Sequence, residues 1–168
     1  MFFNCKTLYN IDELKYLNTN HCFDFSSIFS GCDLLENVKP LEKWVFAKSC
    51  NLANMFKNIS LSDVKPLEKW YVLNCTNFSG MFYGCSSLSN LEGLEKWDVS
   101  NCTDFSKMFF NCSSLSDIKP LEKWDVSKGT NFSFMFYGCK ALYELGPLEE
   151  WEIPNGGNFD CIFYGCPR

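Results

Sequence analysis

Apolar positions in this chain recur in blocks of about 27 residues. Trp44, Trp70, Trp97, Trp124 and Trp151 lie 26, 27, 27 and 27 residues apart, and Phe2, Phe29, Phe56, Phe82, Phe109, Phe136 and Phe163 keep step with them. A fixed period of this size marks a repeat array, in which each unit buries its apolar face only against its neighbours. The units are residues 1–27, 28–54, 55–80, 81–107, 108–134 and 135–161, followed by a partial unit at 162–168.

Within one unit, Leu88, Leu91, Leu94 and Trp97 fall three apart, which suits a tight wall turning one edge inward. Pro40, Pro66, Pro120 and Pro147 recur before a Leu, with Gly93 in the same place once, and preset a single helical turn over PLEKW. Trp97-Asp98-Val99-Ser100 alternates apolar and polar residues and predicts a short strand, stacked in parallel from unit to unit. A short α-helix is predicted next. Thr103 or Asp104 is a natural N-cap, and Phe105, Met108, Phe109 and Cys112 form one stripe at i, i+3, i+4 and i+7. The following column, Asn4, Gly31, Asn58, Gly84, Asn111, Gly138 and Gly165, holds only Asn or Gly, the residues that accept the left-handed conformation closing a helix. The expectation is an α/β right-handed solenoid of about six coils, each with one short strand and one short helix.

The strings LEKWDVSNCTDFSKMF (Leu94 to Phe109), LEKWDVSKGTNFSFMF (Leu121 to Phe136) and LEKWYVLNCTNFSGMF (Leu67 to Phe82) resemble the lipoprotein-type repeat of BspA-like leucine-rich-repeat surface proteins. The resemblance covers essentially the whole chain. It implies a leucine-rich-repeat-like fold and a role in cell-surface binding or adhesion, and no catalytic residue, because the landmarks are core positions.

Composition narrows the function classes. Apolar content of 46% and aromatic content of 17% exclude disorder, and no apolar run reaches the ~18 residues needed to cross a bilayer, so no membrane partner is expected. The net charge of −5, with Lys and Glu interleaved, leaves no basic face for phosphates and argues against direct nucleic-acid binding. MFFNCKTLYN shows no signal peptide, so a cytoplasmic location is expected for the chain as it stands, and the cell surface if it is a piece of a longer protein. Both ends stop at the same phase of the repeat, which predicts head-to-tail self-association unless Pro167 and Arg168 block the last edge.

Candidate chemistry is sparse. Cys5, Cys32, Cys85, Cys112, Cys139 and Cys166 form one column, interrupted by Ile59, and Cys22, Cys75 and Cys102 form a second. Exchange with Ile points to buried thiols, with disulfides between stacked neighbours as the rival reading. Metal and cofactor are not expected, since no CxxC occurs and His21 is the one histidine. With no histidine base in a well-formed unit, a nucleophilic triad is not expected either. The carboxylate pair Glu149 and Glu150 reads as solvated face, and most Asn-x-Ser/Thr sequons fall where the repeat itself carries Asn.

Surface anomalies remain. Val45, Ala47, Tyr71 and Leu73 stand where later units place Asp98, Ser100, Asp125 and Ser127, turning a polar strip apolar. Tyr83, Phe110, Tyr137 and Tyr164 form an aromatic ribbon one residue before the Gly/Asn column. Such patches mark contact sites, so the expected role is a non-catalytic scaffold binding another protein through one of them. The alternative is a small acidic intracellular inhibitor or decoy, phage or virus encoded, that blocks an enzyme or a nucleic-acid-binding protein.

Overall fold

Phe2, Phe29, Phe56, Phe82, Phe109, Phe136 and Phe163 lie ring on ring, with successive centroids 5.5 to 6.0 Å apart. The computed structural model describes residues 1–47 and 49–167, and in it equivalent residues of successive repeats lie side by side. Arg168, expected with Pro167 to block an edge, lies outside the described residues. The wall behaves as its spacing predicts: Leu88, Leu91, Leu94 and Trp97 are buried, and Leu94 and Trp97 donate to the carbonyls three residues back. The turn over PLEKW is a 3-10 turn, as at Lys39–Leu41, Lys65–Leu67 and Lys119–Leu121.

The rest of the expected α/β solenoid is overturned. Among the described residues there is no α-helix, and the strands are two short ones, β1 (Cys50–Asn51) and β2 (Cys75–Asn77), paired in parallel. The strand expected over Trp97 to Ser100 is absent, as it is over residues 44–47 and 70–73 where no Asp follows the Trp; Asp98 Oδ1 accepts the Ser100 N–H at 3.1 Å, and Asp125 holds Ser127 in the same way at 3.0 Å. These side chains curl the backbone into turns. Isolated parallel bridges form further along, at Asn77 with Asp104, Asp104 with Asn131, and Asn131 with Asn158.

The expected helix over Phe105 to Cys112 is a pair of tight turns. Lys107 has φ 56° and Asn111 φ 55°, so left-handed residues stand four apart and interrupt any helix. Phe105, Lys107, Phe109 and Asn111 donate their N–H groups to Asn131, Ser133, Met135 and Tyr137 of the next repeat. The N–H groups between them stay local: Met108, Phe110 and Cys112 donate three residues back, and Ser106 donates to Asp104 Oδ1. The backbone is thus satisfied by neighbours instead of by a helix.

This arrangement explains the Asn/Gly column. Gly138 has φ 71°, and a Cβ there would collide with the Asn111 side-chain oxygen. Asn111 leans on Gly138 as Asn58 leans on Gly84 and Asn4 on Gly31, so each left-handed Asn has a glycine in the following repeat.

Two further columns close the core. Each Trp Nε1 donates to a Leu carbonyl of the preceding repeat at 2.8 to 3.0 Å, as Trp97 does to Leu67 and Trp124 to Leu94. Each Sγ of Cys32, Cys85, Cys112, Cys139 and Cys166 lies 3.0 to 3.2 Å from the carbonyl of a Phe in the preceding repeat. A small apolar side chain that still donates weakly suits that position, and Ile59 supplies the volume without the donor.

Candidate functional site

The Trp column is the floor of the strip at which the surface anomalies were expected. Trp70, Trp97 and Trp124 stack nearly parallel, with centroids 6.1 and 6.4 Å apart, and the residue after each Trp points outward. Val45 is 51% and Tyr71 62% exposed, whereas Ala47 and Leu73 are half-buried. Of the four apolar strip residues, Val45 and Tyr71 therefore present most of the contact area.

Their backbone is held from below. Thr19, itself buried, donates from Oγ1 to the Val45 carbonyl at 2.7 Å, and the Val45 N–H donates back to Oγ1 at 2.9 Å. Cys50 and Cys75 are joined in a disulfide, Cα to Cα 4.4 Å, which staples the repeat carrying Val45 to the one carrying Tyr71. The expectation of thiols throughout the second cysteine column is thereby corrected at Cys75. Cys50 belongs to neither column. The 26-residue step from Trp44 to Trp70 would set Ser49 opposite Cys75, and a register shift between Cys50 and Asn51 brings Cys50 there instead.

Further along the strip the chemistry reverses. Asp98, Asp125 and Glu152 are exposed at the positions equivalent to Val45 and Tyr71. Hydrogen bonds from the Ser127 hydroxyl and N–H hold the Asp125 carboxyl below the usual range, which keeps it ionised. The ion pairs among the described residues, Lys6 with Asp33 and Lys65 with Glu68 and Glu92, involve none of these three carboxylates.

The aromatic ribbon lies elsewhere, on the turns. Tyr83 and Phe110 stack at 4.5 Å, Phe110 and Tyr137 at 4.6 Å, and Tyr137 and Tyr164 at 5.1 Å. Tyr83, Phe110 and Tyr137 are half-buried and Tyr164 is exposed. Lys57 caps the ladder, its Nζ 4.4 Å from the Tyr83 ring centroid. Ring faces are spent on one another, so the ribbon offers chiefly edges and works as adhesive between repeats.

The expectation of buried thiols fails at Cys5 and Cys22, which are exposed together with Cys161, and holds for the thiols packed in the core. Burial pushes Cys85, Cys102 and Cys139 up to about 12, so these thiols are poor nucleophiles at neutral pH. His21 is exposed, and no group of three His, Cys, Asp or Glu side chains among the described residues is placed to hold a metal ion.

A family model described as "Mycoplasma protein of unknown function, DUF285" matches the chain twice, over residues 1–91 and 50–168. The two matches together span the whole sequence. No curated protein matches the chain.

Proposed function

The chain belongs to the DUF285 family, and we propose that it is a non-catalytic protein-binding scaffold whose contact face is the strip headed by Val45 and Tyr71. One observation carries this reading: two apolar side chains more than half exposed stand in a column that is otherwise Asn18, Asp98, Asp125 and Glu152. Exposed apolar side chains on a rigid support are what binding surfaces are made of. The likeness of the WDVSN and MF landmarks to BspA-like surface repeats supports an adhesive setting. The Cys50–Cys75 disulfide supports an oxidising compartment, in line with a cell-surface location.

The test is affinity capture with wild-type protein and with the double variant Tyr71→Asp, Leu73→Ser, which gives this repeat the polarity of the later ones. A partner retained by the wild type and lost by the variant, at equal thermal stability, supports the strip. Partners retained equally by both overturn it.

A further inference from the structure

We propose that a groove among the tight turns binds a phosphate monoester carried on a small apolar body. The site is separate from the Val45 and Tyr71 strip and does not rest on the protein-binding reading. The groove measures about 550 Å³, within the range of small-molecule sites, and four successive repeats build it, from Asn54 and Lys57 at one end to Phe134 at the other.

Two observations carry it. The first is charge. Lys57 and Lys107 line the groove, and no Asp or Glu does. Along the PLEKW edge the signs are mixed instead, as where Lys39 and Lys65 meet Asp63 and Glu68. Neither Lys57 nor Lys107 has an ion-pair partner among the described residues. Each ammonium stands over an aromatic ring, 4.4 Å from the Tyr83 centroid and 5.7 Å from that of Phe134. In a protein of net charge −5 this is a local exception to the interleaving of Lys and Glu, enough for one anionic group and too little for a nucleic-acid backbone.

The second observation is a set of unspent donors. Ser79 and Ser106 give their N–H groups to Asn77 Oδ1 and Asp104 Oδ1, while their hydroxyls make no hydrogen bond among the described residues. Ser133, the equivalent residue one repeat on, spends its hydroxyl on Asn131 Oδ1 at 2.8 Å. Ser106 is only 8% exposed, yet no enclosed side-chain oxygen or nitrogen among the described residues lacks a partner, so its hydroxyl opens into the groove that it lines. Asn54 lays its side-chain oxygen against Gly80, which leaves its NH2 group free to donate. Two ammonium groups, two hydroxyls and an amide suit a phosphate monoester, which presents three acceptor oxygens and a charge of about −1.5 to −2 at neutral pH. A carboxylate has only two oxygens and one charge to offer them. Tyr83, Phe110 and Phe134 line the same groove and supply apolar contact for the body that carries the phosphate.

The experiment titrates isotope-labelled protein at neutral pH with phenyl phosphate, inorganic phosphate and phenol, and follows the backbone amide signals by NMR. Phenyl phosphate should give saturable shifts centred on Ser79, Gly80, Ser106 and Lys107, with an affinity roughly tenfold or more above that of inorganic phosphate or phenol. Lys57→Gln with Lys107→Gln should weaken binding roughly tenfold or more and flatten its salt dependence. Ser106→Ala should weaken it about three- to tenfold and leave the melting temperature unchanged, because no hydrogen bond within the protein is lost. No saturable shift with phenyl phosphate, an affinity no better than that of inorganic phosphate, or an unchanged affinity in either variant overturns the inference.

Discussion

The repeats around Val45 and Tyr71 and those around Asp98 and Asp125 share one interior and differ on the outside. Trp70 and Trp97 donate to equivalent Leu carbonyls at 2.8 and 2.9 Å, and the Phe column runs through both halves without a break. Outside, Tyr71 is replaced by Asp98 and Leu73 by Ser100, and the disulfide fastens the first half, while buried thiols occur in both, Cys32 in the first and Cys85, Cys102, Cys112 and Cys139 in the second. Stacking fixes what points inward and leaves what points outward free to vary, so stability resides in the columns and the differences between repeats gather in the strip.

The comparison breaks most readily at the Trp column. Trp70→Ala and Trp97→Ala should each cost about 3–5 kcal/mol in urea denaturation, because both empty a large core position and orphan a buried carbonyl. A gap between them of more than about 1 kcal/mol would show that the two halves are not equivalent inside.

The disulfide should come next. Reduction, or Cys50→Ser with Cys75→Ser, removes a cross-link between residues 25 apart and should lower stability by roughly 2–4 kcal/mol, read as a shift in the urea midpoint. Alkali should act on the other half. The buried Cys85, Cys102 and Cys139 are held at about 12 against an ordinary 9.0, so both folded and unfolded states keep the proton below pH 9.0. Above it the unfolded chain ionises first, and stability should fall as pH rises from 9.0 toward 12. Cys102→Ala should blunt that fall in denaturant titrations at successive pH values.

Gly138→Ala should cost about 1–3 kcal/mol, since it puts a side chain in the left-handed region against Asn111. Adding Asn111→Gly should recover the steric share, measurable as a partial return of the melting temperature. Smallest of all, Tyr71→Asp with Leu73→Ser should change stability by no more than about 0.5 kcal/mol, so that any loss of binding belongs to the surface.

Much of the interior is legible in the sequence. The period, the wall of Leu88, Leu91, Leu94 and Trp97, the PLEKW turn and the left-handed Asn/Gly column all follow from residue type and spacing. The turns are not legible as such, because an i, i+3, i+4, i+7 stripe is what both a helix and two consecutive tight turns present to a core. Lys107 in the left-handed region is the cause, and a lysine advertises no such conformation. The hint lay in its column, where Asn54 and Gly80 precede it, the same two residue types that mark the column four residues on. Of the candidate surface residues, Val45 and Tyr71 declared themselves by breaking a polar column. Thr19 and Cys50 did not, because their roles depend on contacts 25 or 26 residues away.

The turns also give the molecule an electrical direction. In a β-sheet successive peptide dipoles oppose one another and nearly cancel. Here the N–H groups of Phe105, Lys107, Phe109 and Asn111 all point to the following repeat, while those between them fold back locally, and only a few, such as Thr103 and Thr130, point to the preceding one. The surplus leaves partial positive charge facing the high-numbered repeats, by the same addition that polarises a helix. Glu149, Glu150 and Glu152 are carried in the 135–161 repeat, so acidic side chains gather toward the pole that favours them.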